Sequence, residues 1–246
     1  MKNRLDQELL RRNLATTRSQ AENLIRLGEV NVEGKVVSKA GYFVREDSEI
    51  KINTEERYVS RAGLKLKSVA EQLNIDFKDK IVLDVGSSTG GFTDFALQNG
   101  ATKVYAVELG TDQMDKKLQQ NTKIELHEKT DIRDFAASNT KNNLNINSVV
   151  IDVSFISLRE ILPSVALLST FETDIYAMVK PQFEAIKSNL KHKGVIKNDK
   201  IRRDILKDFE GWVQNGFVII DKSDSKVHGT KGNVERFYHL RKAKNR

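Results

Sequence analysis

The feature that most constrains this chain is an apolar run that breaks on glycine and reopens as a helix. Ile81–Val85 reads IVLDV, and Gly86-Ser87-Ser88-Thr89-Gly90-Gly91-Phe92 follows it directly. A short apolar run of that kind predicts a buried strand, and residues 92–97 have helical character until Asn99-Gly100 stops them. A glycine turn between strand and helix lets the backbone approach a ligand and aims amides at it from the helix N-terminus. The pattern is D-x-G-x-x-x-G and not G-x-G-x-x-G, because Ser88 stands where a second glycine would be. No Gly-Lys-Ser/Thr follows, so it is not a Walker loop either. Residues 103–108 predict the next strand, which Glu108 ends 22 residues after Gly86. A carboxylate there can accept both hydroxyls of a nucleoside ribose. The competing reading is a turn whose glycines only permit tight strand–helix packing.

The rest of the second half alternates in the same way. Strands are predicted over 123–127, 148–153 and 174–180, with helices over about 157–168 and 199–214. Strands over 217–220 and 234–240 close the chain. Strands separated by helices imply an α/β fold with a mainly parallel sheet covered on both faces, and the last two strands, lacking a helix between them, run antiparallel. Residues 1–55 read differently, as a small α+β unit. Leu5, Leu9 and Leu10 fall at helical spacing, and Thr17 with Gln20 fits a capping box before Ala21, Leu24 and Ile25. Gly28 ends that helix, Glu33-Gly34 offers a hairpin turn, and residues 48–52 predict a closing strand. Residues 56–63, in TEERYVSRAG, read as a linker to a domain over 64–246.

Composition removes several chemistries. There are no cysteines, so disulfides, thiolate catalysis and cysteine-held metal are excluded, and four scattered histidines give no reason to expect a metal site. MKNRLDQELLRRN lacks the apolar core of a signal peptide, and no run approaches the ~18 apolar residues of a spanning helix. A cytoplasmic protein without membrane contact is expected. The net charge of +7 suits a polyanionic partner, nucleic acid being the commonest.

Four further polar residues sit where an open α/β sheet binds ligands, at the carboxyl edge of its strands. Lys65 lies in SRAGLKL, Asp152 closes an apolar strand in VVIDVSFISL, Lys180 closes another in AMVKPQFE, and Glu235 opens the last strand in GNVERFYHL. Each alone could be a solvated strand end or a surface ion pair. The glycine loop with Glu108 resembles the first two motifs of the class I, Rossmann-like methyltransferase fold. That resemblance implies S-adenosylmethionine as cofactor, held by Asp84, Gly86, Ser87, Gly90, Gly91, Phe92 and Glu108, with Asp131 at the adenine. Lys65, Asp152, Lys180 and Glu235 resemble the Lys-Asp-Lys-Glu tetrad of the FtsJ-type RNA 2′-O-methyltransferases. The words RAGLKL, DVSFISL, KPQFE and GNVE are similar to the TlyA family of ribosomal RNA methyltransferases, often labelled haemolysin-like. One departure is Glu108, where a shorter Asp is commoner.

The resemblance implies 2′-O-methylation of cytidine in ribosomal RNA, with ribosomal RNA or subunits as partners. A ribose hydroxyl is a poor nucleophile until its proton leaves, and only a neutral amine can take that proton; burial and a neighbouring cation favour the neutral form. Lys180 is the candidate base, Asp152 its orienting partner, Lys65 the second cation, and Glu235 a holder of Lys65 or of the ribose. The first unit looks like the ribosomal S-four RNA-binding fold, with Arg4, Arg11, Arg12, Arg18, Arg26 and Lys35 as candidate phosphate contacts. Between 187 and 207 there are eight Lys/Arg against two acids, among them Lys187, Lys191 and Lys193. That stretch reads either as a phosphate-binding border or as a solvated helix face. Two rival functions are a noncatalytic RNA-binding protein, against which four intact tetrad positions count, and a membrane-lytic haemolysin, which no spanning segment supports. Pseudouridine synthases place Arg-Leu-Asp inside their catalytic domain, whereas Arg4-Leu5-Asp6 lies in the first helix here.

Overall fold

Short-range signals build the first unit, Met1–Arg57 with Lys226–Thr230. The computed structural model describes residues 2–15, 17–26, 28–52, 58–185, 194–196, 198–229 and 232–244 of the chain. β1 (Lys2–Arg4) leads directly into α1 (Leu5–Arg11), followed by α2 (Arg18–Arg26), β2 (Val30–Val32), β3 (Lys35–Val36), β4 (Phe43–Arg45) and β5 (Ile50–Ile52). The Thr17 hydroxyl accepts from the Gln20 amide at 3.2 Å, at the start of α2. Glu33 and Gly34 both take positive φ, 49° and 75°, the geometry a two-residue hairpin turn needs. Leu5 and Leu9 pack with Ala21, Ile25, Val30 and Val44 into this unit's own core. Pairing of β1 with β4 is not foreseeable from alternation, because KNR has no apolar residue to set a face.

The second unit is Tyr58–Ser225 with Lys231–Arg246. It contains α3 (Arg61–Ala70), β6 (Ile81–Val85), α4 (Gly91–Gln98), β7 (Lys103–Val107), α5 (Lys116–Gln119), β8 (Ile124–His127) and α6 (Ile132–Asn139). β9 (Ser148–Ile151), α7 (Leu158–Leu168), β10 (Asp174–Val179), α8 (Pro181–Glu184), α9 (Asp199–Val213), β11 (Phe217–Asp224) and β12 (Arg236–Lys242) complete it. The sheet has seven strands in the order β11-β12-β10-β9-β6-β7-β8. β12 runs antiparallel to β10 and β11, and the β10-β9, β9-β6, β6-β7 and β7-β8 pairs are parallel.

Alternation along the strands splits the apolar residues between two layers. Leu83, Val85, Val149, Ile151, Ile175 and Val179 face α6, α7 and α9 through Phe135, Leu162 and Phe209. Val82, Val104, Val150, Tyr176 and Met178 face α3 and α4 through Leu66, Val69, Phe92 and Phe95. Burying each such side chain contributes roughly 1.5–3 kcal/mol. Residues 58–63, expected to be linker, are instead packed. Tyr58 is buried against Phe95, the Val59 amide donates to Asp94, and Ser60 caps α3. Helix α3 was hidden in sequence because its lysines interrupt the apolar spacing.

Gly63 is the contact point of α3 with α4. A Cβ there would lie 2.6 Å from Tyr58 Cγ and 2.9 Å from the Gly91 carbonyl oxygen. Gly63→Ala is therefore expected to cost about 1–3 kcal/mol by overpacking. Thermal melts should show a midpoint lowered by roughly 2–4 °C per kcal/mol lost; an unchanged midpoint would mean that the two helices can separate without penalty.

Candidate active site

Parallel strands end at a common edge, and the polar residues singled out in the sequence collect there. Glu108, Asp152 and Lys180 stand one residue past β7, β9 and β10 rather than closing them, and Glu235 directly precedes the antiparallel β12. Gly86 turns the chain at the end of β6 with φ +80°, and a Cβ on it would lie 2.7 Å from the Asp152 carbonyl oxygen. Only glycine allows the two strand ends to meet so closely.

A cavity of about 660 Å³ opens beside this turn, with Gly86, Ser88, Glu108, Asp131, Asp152 and Phe155 in its wall. Glu108 accepts from the Ser88 amide at 2.8 Å and from the Gly110 amide at 2.7 Å, which locks its carboxylate at the rim. The Ser88 hydroxyl donates to Gln113 Oε1 at 3.1 Å. Asp131 lines the same wall but is already engaged. It caps α6 through the Arg133 amide and binds the Arg133 guanidinium at 2.6 Å, which holds its carboxyl below the usual range. The Ser87 hydroxyl and Asp84 Oδ1 are buried, with no hydrogen-bond partner among the described residues.

Gly90, Gly91 and Phe92 lie outside the cavity wall. Gly90 and Gly91 are spaces for Leu118 and for Ser60, and Phe92 is a core residue whose ring lies tilted 5.9 Å from that of Phe237. The Phe92 ring, on the first turn of α4, points into the layer under the sheet.

The four tetrad candidates form two ion pairs. Lys180 Nζ meets Asp152 Oδ1 at 2.5 Å, and Lys65 Nζ, from α3, meets Glu235 Oε2 at 2.7 Å. Val179 pairs with Arg236 across β10 and β12, so Lys180 and Glu235 come next in the same register. The side chains are 10% exposed for Lys180 and 4% for Glu235, so the pairs sit at the edge of solvent.

Three neighbours escaped sequence reasoning. Ser154 Oγ accepts from Lys180 Nζ at 2.8 Å. Phe155 is 87% exposed at φ +66°, with its ring 5.2 Å from Phe183. Glu184, fully buried, accepts from the Ser157 hydroxyl at 2.6 Å and the Leu158 amide at 2.7 Å. Burial pushes its carboxyl up while these bonds and Arg159 oppose the shift. DVSFISL and KPQFE contain all three, but nothing in a linear pattern says that these segments touch.

In the first unit the arginines fan around two buried carboxylates. Asp6 binds Arg4 at 2.9 Å and Arg18 at 3.2 Å, and Glu8 binds Arg11 at 2.7 Å and Arg12 at 2.6 Å. Arg11, ahead of the opposing burial, drives the Glu8 carboxyl down to about 2. Arg12 also donates to the Ser48 and Glu46 carbonyls, so its guanidinium serves the fold. Arg26 lies 3.9 Å from Glu22, and Lys35 is exposed on β3. Lys187, Lys191 and Lys193 lie outside the described residues.

With this geometry in view, the relationships of the chain are clear. The model for FtsJ-like methyltransferases matches residues 58–242 and the model for the S4 domain matches residues 3–50. The chain belongs to the FtsJ-like methyltransferase family. It is 42% identical to the 23S rRNA (cytidine-2′-O)-methyltransferase TlyA of Campylobacter jejuni, over 75% of this chain and 71% of that one. It is 34% identical to the 16S/23S rRNA (cytidine-2′-O)-methyltransferase TlyA of Mycobacterium tuberculosis, over 97% of this chain and 89% of the other. A solved structure of a hemolysin-named protein from Streptococcus thermophilus aligns with a TM-score of 0.72 at 35% identity, covering 99% of this chain and 90% of that one. Among the described residues, no helix is long and apolar enough to cross a membrane.

Asp84 gives the family fold a pH signature. Burial, with Asp152 and Glu108 nearby, raises its carboxyl to about 7, against bonds from Thr93. Unfolded, it loses its proton near ~4. Between those values the folded chain holds a proton that the unfolded chain releases, so stability falls as pH rises from about 4 to about 7 and then levels off. In Asp84→Asn this term is absent. Denaturant titrations should show the variant gaining on wild type across that window, and a difference independent of pH would refute the assignment.

Proposed function

We propose that the protein transfers a methyl group from S-adenosylmethionine to a ribose 2′-hydroxyl of RNA, the target being cytidine in ribosomal RNA. The observation that carries this reading is the Lys180–Asp152 pair, whose Asp152 lines a nucleoside-sized cavity, with the Lys65–Glu235 pair in the adjoining register. The two TlyA relatives, named for cytidine-2′-O methylation of rRNA, support the substrate, and the S4 match supports an RNA partner, with ribosomal RNA or a subunit as the finer proposal.

The cavity residues fit the cofactor. Residues 86–92 carry no basic side chain to welcome a pyrophosphate, whereas Glu108 offers a fixed carboxylate to ribose hydroxyls. The unpartnered Ser87 hydroxyl and Asp84 Oδ1 add polar groups beside the glycine turn. Bound there, S-adenosylmethionine supplies an electrophilic methyl group. The chain's own part is to prepare the nucleophile. Lys180 Nζ, as a neutral amine, takes the proton of the 2′-hydroxyl, and Asp152 holds the ammonium that results. Glu235 fixes Lys65 beside them. Phe155, exposed at the cavity rim, offers a face on which a nucleobase can stack. In the first unit, Arg4, Arg11, Arg18, Arg26 and Lys35 supply phosphate contacts, their orientation set by Asp6, Glu8 and Glu22 for the arginines. Lys187, Lys191 and Lys193 extend this basic set in the reading from sequence.

The test is single-turnover transfer of labelled methyl to ribosomal RNA and to ribosomal subunits. Lys180→Ala should abolish transfer and leave S-adenosylmethionine binding by calorimetry nearly intact. Lys180→Arg should not rescue it, because a guanidinium keeps its proton. Wild-type rate should rise with pH to a plateau. Transfer by Lys180→Arg at the wild-type rate would remove the general-base role, and absence of cofactor binding to wild type would remove the reading as a whole.

A further inference from the structure

Lys180 has a second polar contact that the tetrad does not include. Its Nζ pairs with Asp152 Oδ1 at 2.5 Å and donates to Ser154 Oγ at 2.8 Å. A lysine nitrogen has three positions beyond its carbon. In the neutral amine two are N–H bonds and the third is the lone pair. Asp152 meets this nitrogen as an ion-pair partner, whereas the Ser154 oxygen accepts one of its N–H bonds. With one N–H held by the serine, the lone pair of the neutral amine is confined to the directions that remain. We propose that Ser154 is a positioning residue, aiming the Lys180 lone pair at the incoming hydroxyl. The inference rests on the reading of Lys180 as the base.

The loop holding Ser154 is tied down at both ends. Its beginning is fixed by the Asp152 amide, which donates to the Val85 carbonyl at 3.0 Å. Its end is fixed by Glu184, which accepts from Ser157 and Leu158 at 2.6 and 2.7 Å. Glu184 belongs to α8, the short helix that Lys180 itself opens, and its own amide donates to the Lys180 carbonyl at 3.3 Å. Between the anchors, Phe155 adopts φ +66°, a left-handed turn that a bulky residue takes only when its surroundings impose it. The segment bearing the serine and the segment bearing the lysine are thus one braced unit. Ser154 also lines the cavity, where its hydroxyl can meet the same substrate edge as Lys180.

The test compares wild type, Ser154→Ala, Ser154→Thr and Lys180→Ala in the full chain. Single-turnover methyl transfer to a ribosomal RNA transcript is followed from neutral to alkaline pH, with S-adenosylmethionine binding measured by calorimetry. Ser154→Ala should lower the plateau rate about 10- to 100-fold, the usual cost of a misaimed reacting group. Its pH midpoint should move to lower pH, because the ammonium form has lost an acceptor while the amine has lost less. Cofactor affinity should be unchanged, and Ser154→Thr, which keeps the hydroxyl, should recover most of the rate. A Ser154→Ala rate equal to wild type, or a reduced rate with an unmoved midpoint, overturns the positioning role while an inactive Lys180→Ala leaves the base reading standing. An active Lys180→Ala removes both.

Discussion

The close approach of Gly86 to the Asp152 carbonyl holds the site together. β6 and β9 are neighbours in the sheet, and the turn leaving one packs on the residue leaving the other so tightly that a Cβ on Gly86 would lie 2.7 Å from the Asp152 carbonyl oxygen. The glycine turn shapes the cavity and Asp152 holds the lysine, so this one contact sets the distance between the proposed place for a cofactor and the proposed base. Any side chain at position 86 would have to push the β9 end outward and carry Asp152 with it. Two strand-end motifs that look independent in sequence are therefore one geometric object. The backbone amide of Asp152, bound to the Val85 carbonyl, closes the same link from the other side.

Around that link the protein keeps its cations paired. Lys180 has Asp152 and Lys65 has Glu235, each at the border of solvent. Removing one member of such a pair leaves a partly buried charge alone, which costs far more than the pair itself contributes. Pairing fixes each ammonium in place without a closed metal site or a disulfide. The first unit uses the same device: Asp6 and Glu8 are buried beneath Arg4, Arg11, Arg12 and Arg18. A guanidinium has five donors, and a carboxylate beneath it takes two while orienting the rest. Arg12 is the counterexample, since two carbonyls take its remaining nitrogens.

What the sequence disclosed and what it hid follow one rule. Features that repeat locally were legible. The β6 strand, the glycine turn, the strands bearing Asp152 and Lys180, and the antiparallel last strand all stand near where periodicity and turn residues place them. The resemblance to the FtsJ-type tetrad picked out four residues that the structure gathers into two pairs. Features that depend on two distant segments touching were not legible. Ser154 and Glu184 look like ordinary polar residues until the loop after β9 meets the turn after β10. Phe92 stands in the glycine-rich word, yet its position on the first turn of α4 takes its ring into the core. Residues 58–63 misled because a short word with Ser60, Arg61 and Gly63 conceals a packed Tyr58 and a capped helix.

The distribution of charge then orders the approach of an RNA chain. Glu108, Asp131 and Asp152 line the cavity beside the glycine turn, and the buried Asp84 keeps its proton to about 7 because burial is reinforced by Asp152 and Glu108. With Asp84 neutral, Glu108, held by two backbone amides, is the carboxylate that repels a phosphate backbone here and favours a ligand that carries positive charge. At the cavity rim Asp131 is neutralised by Arg133 and Asp152 by Lys180. The repulsion is therefore strongest inside the cavity and relieved at the edge where the lysines stand. A polyanion can rest its ribose on that edge without entering the space meant for the cofactor. On the proposed reading, the lysine that would take the proton also neutralises Asp152, and so lowers the repulsion a nucleic acid meets where its hydroxyl must arrive.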